Sequence, residues 1–356
     1  MRKPKSPRII QRVFAIDLAS GEAGVTVLMR GCVKALRRFQ YLRLILVGDE
    51  AGISAILART ASRLRSRVRI IHTGEIIAMT DSAAEASRKK NRASVVLAAE
   101  AVARGEAFGF FSAGNTGAAI SAATLQIGLL PGVTRAVLAT VLPSASGPML
   151  LVDSGAGIDL SPVRYLAMAR LAESYMKFVF GLGRCRTCLL NIGEEPNKGT
   201  RVLKRAYTLL EKHLPSFGGN IEPSDIFSGE ADVILCDGFV GNIFIKLCEG
   251  VGKHIQRLVK GPRRRFFSGS RIREHSAPAE NAAHRMILRN LKKFTDSERY
   301  GGSPLLGVKG IVLIGHGQAR ENAIYNAIAG ALLLHDAKLI EEMKNYFTDT
   351  PQHEKA

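Results

Sequence analysis

A chain of 356 residues with 46% hydrophobic content can bury a large core, and its 50 Lys and Arg against 31 Asp and Glu leave a formal charge of +19. No apolar run reaches the roughly 18 residues that a membrane-spanning helix needs, and the basic start of the chain leads into a stretch holding Asp17 without a small-residue cleavage pattern, so neither a span nor a secretory signal is expected. Five cysteines, an odd number, argue for a reducing compartment over a disulfide framework, and Cys185-Arg-Thr-Cys188, with no second pair to complete a metal site, reads as ordinary thiols near a strand start.

Residues 1–12 read as a basic arm, 13–345 as a single α/β domain and 346–356 as a tail. From Val13 to about Thr60 a βαβα pattern opens the domain, its strands ending at Asp17 and at Gly48-Asp49, and Val68 to His72 forms another strand. Ser82-Ala-Ala-Glu85 has capping-box spacing and predicts one long helix through about Arg104. The apolar run at Phe108 then enters the loop Ser112-Ala-Gly-Asn-Thr-Gly117. Another strand ends at Asp153-Ser-Gly-Ala-Gly157, and Ser161-Pro162, a capping residue before a first-turn proline, starts a helix toward Val179. Cys188-Leu-Leu-Asn-Ile-Gly-Glu-Glu-Pro-Asn-Lys-Gly199 and Val233-Ile-Leu-Cys-Asp-Gly-Phe-Val-Gly-Asn242 repeat the scheme, and Gly315-His-Gly317 ends the last strand.

Continuous apolar strands feeding helices predict an open, mostly parallel sheet with helices on both faces. The glycine-rich loops are then expected along one edge, where α/β sheets bind ligands at the carboxyl ends of their strands. Glycine lets backbone N–H groups approach an anion, and the helix that follows adds positive potential.

The segment 250–295 departs from this pattern, with twelve Lys and Arg against two acids, about half of the whole excess. Val251, Ile255, Leu258 and Val259 fall on one helical stripe, and Ala283, Ile287, Leu291 and Phe294 on another beyond Gly261-Pro262. Lysines and arginines occupy the opposite faces, so the segment is expected to be a protruding basic helical hairpin. It either packs on the protein or contacts an anionic membrane surface. Nucleic acid is not expected, because no helix-turn-helix, RNP or zinc signature is present and aromatics are only 6%.

Five strings carry a resemblance: Ser112-Ala-Gly-Asn-Thr-Gly117, Leu190-Asn-Ile-Gly-Glu-Glu195, Asp225-Ile-Phe-Ser-Gly229, Cys236-Asp-Gly-Phe-Val-Gly-Asn242 and Gly302-Ser-Pro-Leu-Leu-Gly-Val-Lys-Gly310. At these residues the chain resembles the bacterial phosphate acyltransferases of phospholipid synthesis, in order from about Val13 to Leu334. The resemblance implies a phosphotransacetylase/isocitrate-dehydrogenase-like fold and transfer of a fatty acyl group from acyl-[acyl carrier protein] to inorganic phosphate, giving acyl phosphate for phosphatidic acid synthesis. It further implies no cofactor or metal, a homodimer, and a cytoplasmic enzyme held peripherally at the inner face of the cell membrane. Its product would pass to a membrane glycerol-3-phosphate acyltransferase. Two loops depart from the family: Asp17-Leu-Ala-Ser-Gly-Glu22 stands for Asp-Ala-Met-Gly-Gly-Asp, and Asp153-Ser-Gly-Ala-Gly157 for Asp-x-Gly-Ala-Asn.

Attack of phosphate on a thioester needs orientation, donors for the carbonyl oxyanion and a proton for the departing thiolate. Lys198 and Asn242 are the first candidates, as cation and oxyanion donor; the alternatives are a solvated loop lysine and a helix N-cap. His316 could transfer the proton or be held structurally. Asp17, Asn115, Thr116, Asp153 and Asp237 stand in the strand-end loops as substrate-binding candidates, and Arg88 and Lys89 form either a phosphate patch or a solvated helix face. A phosphotransacetylase-like enzyme using acyl-CoA and a non-catalytic membrane-bound relative are the competing readings. A nicotinamide dehydrogenase is not expected, because no GxGxxG follows the first strand.

Overall fold

A computed structural model describes residues 11–259 and 301–349 of the chain. Within them eleven strands form one sheet. Strands β1 (Arg12–Asp17), β2 (Leu42–Gly48), β3 (Val68–His72) and β4 (Gly109–Ser112) are joined by helices α1 (Val25–Arg38), α2 (Glu50–Ala58), the short α3 (Ser62–Arg65), α4 (Ala83–Lys89) and α5 (Ser94–Ala103). Helix α6 (Thr116–Ala122) runs on into a π-turn and then to the hairpin β5 (Val137–Pro143) and β6 (Pro148–Val152). After α7 (Pro162–Phe180) come β7 (Thr187–Leu190), α8 (Arg201–His213), β8 (Phe217–Ile221), β9 (Val233–Leu235) and α9 (Gly238–Val259). Strands β10 (Ser303–Leu306) and β11 (Ile311–Ile314) and helices α10 (Glu321–Asp336) and α11 (Leu339–Asp349) complete the described fold.

The open, mostly parallel α/β sheet agrees with the sequence reading; the placement of its loops does not. The spatial order is β3-β2-β1-β4-β11-β10-β5-β6-β9-β7-β8. Strands β3, β2, β1, β4 and β11 are mutually parallel, and so are β6, β9, β7 and β8. Between the blocks β10 is antiparallel to both β11 and β5, and β5 is antiparallel to β6. The blocks therefore point in opposite directions, so loops after β1, β4 and β11 sit at one edge and those after β6, β7 and β9 at the other. The cause is local. Ser144-Ala-Ser-Gly147 closes a tight hairpin, with Gly147 at φ 141° and Ser144 N–H donating to Gly147 C=O at 2.7 Å. A connection this short can only join antiparallel strands.

Both faces of the first block are covered. Along β1, Phe14 and Ile16 face α1 through Leu28, Met29 and Cys32, while Ala15 faces the Ala- and Val-rich α5. The long helix expected from Ser82 is two helices, and Ser82 makes no side-chain cap. The break at Lys90–Ala93 has partners of its own: Thr73 donates to Arg92 C=O at 2.7 Å, and Ser94 N–H donates to Glu75 C=O at 3.0 Å. Helix α7 matches its expectation and stops at Gly181, whose φ of 71° is the left-handed conformation that glycine adopts without strain. Residues Gly250 to Val259 continue α9 instead of opening a separate hairpin helix, and the rest of that segment, like residues 1–10 and 350–356, lies outside the described residues. Among the described residues no single helix is long and apolar enough to cross a membrane.

Candidate active site

The opposed blocks leave a cleft of about 410 Å³ along β5, reaching from the ends of β4 and β11 to the end of β6. Helix α9 forms one wall. It starts where Asp237 accepts the N–H of Val240 at 2.8 Å, so Asp237 is the N-cap and Asn242 lies inside the helix. From there Asn242, Lys246 and Glu249 recur at i, i+4 and i+7 and share one face, and all three line the cleft.

On β5 the Thr140 hydroxyl lies 2.9 Å from Ser154 Oγ and 2.9 Å from Ser303 Oγ. Ser154 Oγ donates in turn to Leu138 C=O at 3.1 Å, an oxygen that already accepts the Ser154 N–H at 2.8 Å. These rotors can therefore turn to donate to a bound oxyanion without stranding a buried acceptor. His316, at the end of β11, accepts the Gln318 N–H on Nδ1 at 3.2 Å. In the neutral ring this places the proton on Nε2, a donor at the cleft lining. Among the described lining residues Lys246 is the one lysine or arginine, and it forms no ion pair there. Glu22 and Glu249 are the acids, and Leu138, Val141, Leu142, Ile245 and Ile314 supply apolar surface. No group of three His, Cys, Asp or Glu among the described residues is placed to hold a metal ion.

Of the residues singled out in the sequence, Asn242, Thr116 and His316 meet at this cleft. Four others have their side chains engaged in shaping loops. Asp17 is buried and accepts the backbone N–H of Ala19 and Ser20 and the hydroxyls of Ser20 at 2.6 Å and Ser112 at 2.7 Å. Asn115 caps α6 through Ala118 N–H and donates to Ala78 C=O at 3.0 Å. Asp153 accepts from Leu138, Gly155 and Ala156 N–H on Oδ1, whereas its buried Oδ2 has no hydrogen-bond partner. Burial pushes that carboxyl above its ordinary pKa, against the pull of the backbone donors. Asp237 is the helix cap already described. Lys198 is exposed in the loop after β7, its ammonium 3.7 Å from Glu195, outside the cleft lining. Arg88 and Lys89 are exposed on α4, Lys89 pairing with Glu85 one turn back, and also lie outside it.

The altered first loop is accommodated locally: Ser20 reaches Asp17 and Ser94, and it packs so closely on Gly114 that a Cβ there would stand 2.3 Å from Ser20 Cβ. In the second, Gly157 supplies no side-chain donor to Asp153 Oδ2. The cleft also contains residues that the sequence reading passed over: Thr140, Ser154, Ser303, Lys246 and Glu249. For the last two a signal existed, the helical spacing from Asn242. Cys185 and Cys188 are buried free thiols, as expected, with pKa values raised by burial.

Known proteins share both sequence and fold with this chain. The family model described as fatty acid synthesis protein matches residues 12–342. The phosphate acyltransferase of Heliobacterium modesticaldum is 38% identical over 315 residues, covering 88% of this chain and 91% of that protein. The phosphate acyltransferase of Syntrophobacter fumaroxidans is 34% identical over 330 residues, covering 93% and 90%. Among solved structures, a phosphotransacetylase from Streptococcus pyogenes superposes with a TM-score of 0.58 at 16% identity, covering 93% of this chain and 94% of that one. A branched-chain phosphotransacylase from Enterococcus faecalis gives 0.54 at 14% identity, covering 91% and 98%.

Proposed function

The chain belongs to the fatty acid synthesis protein family and, within it, to the phosphate acyltransferases, and on that premise we propose that its acyl donor is a fatty acyl-[acyl carrier protein] and its product an acyl phosphate for phospholipid synthesis. The observation that carries the site assignment is Lys246, the one lysine or arginine among the described lining residues, in the same cleft as the Thr140–Ser154–Ser303 hydroxyls and with Asn242 a helical turn away. Phosphate binds at Lys246 and the hydroxyl row, because an ammonium and reorientable O–H groups are what an oxyanion requires. The Asn242 amide donates to the thioester carbonyl oxygen as it gains charge. A phosphate oxygen forms the new bond to carbon and the C–S bond breaks; the proton that hydrogenphosphate releases on becoming acyl phosphate goes to the departing thiolate, and His316 Nε2–H stabilises that sulfur by a hydrogen bond while the proton moves. The apolar lining from Leu138 to Leu142, with Ile245, takes the first carbons of the acyl chain.

The +19 charge favours an acidic carrier protein over a small nucleotide thioester. Along α9 the residues Phe239, Ile243, Leu247 and Val251 stand 48–61% exposed at four-residue intervals, a stripe that supports a homodimer. The basic segment 250–295 supports peripheral attachment to the anionic inner face of the membrane, where a membrane glycerol-3-phosphate acyltransferase would receive the product. The test is to incubate purified protein with palmitoyl-carrier protein or palmitoyl-CoA and phosphate, and to trap acyl phosphate as hydroxamate. Faster turnover of the carrier thioester is expected; product from the CoA thioester alone would overturn the donor assignment.

A further inference from the structure

A second concavity lies beside the cleft, and it is basic. Arg30, Lys34, Arg37 and Arg38 recur along α1 at i, i+4, i+7 and i+8, and Arg59, at the end of α2, faces them across an open groove of about 700 Å³. The groove floor is apolar, made by Met29, Val33, Ile56 and Tyr325. Lys34 is held in place by Asn322 Oδ1 at 3.0 Å and by the Tyr325 ring, 4.8 Å from its ammonium. Arg30, Arg37 and Arg59 form no ion pair among the described residues, although all three are exposed. Among the described lining residues Glu321 is the one acid.

Position ties this groove to the cleft. Glu22 N–H donates to Gly317 C=O at 2.9 Å, and both residues line the cleft; Thr26 and Glu321, four positions on in each strand-to-helix connection, line the groove. Four residues of chain span at most about 14 Å, so the groove begins within that reach of the cleft mouth, at the first turns of α1 and α10. The wall between them is stiff: α1 packs on α10 so closely at Gly31 that a Cβ would come within 2.4 Å of Glu321 C=O.

We propose that this groove docks the acyl carrier protein, an inference that rests on the donor assigned above. Unpaired guanidinium groups flanking an apolar floor fit an amphipathic helix whose polar face is acidic, the helix-in-groove mode of recognition. A carrier protein is a small acidic helical protein whose thioester hangs on a long flexible arm, and a carrier seated here presents that arm to the neighbouring cleft. A recessed, apolar-floored groove meets a helix over its length, whereas a flat lipid surface would touch only its rims.

The test uses the full-length triple variant Arg30→Glu/Arg37→Glu/Arg59→Glu, with Arg30→Lys/Arg37→Lys/Arg59→Lys as the charge-preserving control. KM for palmitoyl-carrier protein is expected to rise about tenfold or more in the Glu variant, with kcat within about twofold and its salt dependence flattened. Turnover of uncharged palmitoyl-pantetheine should not change, and the Lys variant should stay near wild type. Equal losses with both donors would mean a damaged cleft, and unchanged carrier kinetics, with or without weaker binding to anionic vesicles, would mean the carrier docks elsewhere; either result overturns the proposal. If wild-type protein turns over pantetheine and CoA thioesters but not the carrier thioester, the donor assignment itself fails and the docking site falls with it. A thermal melt of each variant separates lost docking from lost folding, and Arg37→Glu alone gives a milder form of the same test.

Discussion

Replacing Lys246 with methionine keeps an apolar stem of similar length and removes the one ammonium among the described residues of the cleft lining. A unit charge pair 4 Å apart is worth about 1 kcal/mol in water and about 4 kcal/mol near a protein surface at an effective dielectric of 20. The cleft opens to solvent and Lys246 is exposed, so the lower part of this range applies. Because phosphate is anionic both before and during attack, much of the interaction is already made in the ground state. The loss should therefore appear mainly as a raised KM for phosphate, with kcat/KM falling about ten- to thirtyfold. Initial rates of hydroxamate formation across a phosphate titration, at saturating acyl donor, measure both parameters. Lys198→Met is the contrast, and it is expected to lose less because Lys198 faces Glu195 outside the cleft lining. A Lys246→Met enzyme with wild-type phosphate kinetics, beside a Lys198→Met enzyme that has lost them, would refute the placement of phosphate at α9.

Three further outcomes are expected. Thr140→Val breaks the hydroxyl row between Ser154 and Ser303 while keeping side-chain volume; activity should fall about three- to thirtyfold at a stability cost of about 1 kcal/mol, read by steady-state kinetics and urea melts. Asp153 has a folded-state pKa raised by burial, so the stability it contributes is complete below its unfolded value and is lost as pH rises through the folded one. Asp153→Asn, a mimic of the protonated acid, should therefore gain stability relative to wild type as urea melts move from pH 4 to pH 8; a difference independent of pH would show that the carboxyl titrates normally. Ile243→Glu with Leu247→Glu places charges in the exposed α9 stripe, and sedimentation should show a monomer in place of the dimer proposed for wild type; equal sedimentation of the two would refute the α9 interface.

The strand-loop-helix units were legible because each is written in consecutive residues: an apolar run, a glycine or asparagine, then a helical pattern. Asp17, Asn115, Asp153 and Asp237 were found by that logic, and all four occur at loops. Their carboxylates and amides, however, satisfy backbone donors, hydroxyls and, for Asn115, a carbonyl that such turns leave open. A polar side chain at a strand end thus marks where a site can be built before it marks what touches the substrate. Asn242, one turn into α9, and His316, just past β11, are the side chains that instead line the cleft.

What the sequence concealed is long-range. Nothing within β5 announces that Thr140, set among Val137, Leu138, Val141 and Leu142, meets a serine 163 positions away. That pairing depends on β10 lying antiparallel between β11 and β5, and on Ser144-Ala-Ser-Gly147 turning the chain back on itself. The reversal moves half of the glycine-rich loops to the opposite edge, so a crevice along one edge cannot form. It produces instead a groove running along a strand, with a helix face as its far wall. In such a groove the reactive groups come from positions spaced two along a strand or three to four along a helix, and the glycine loops serve to bring those elements close. Lys246 and Glu249 follow from Asn242 by that rule once the helix is known to begin at Gly238, and the hydrogen bond from Val240 to Asp237 fixes that start.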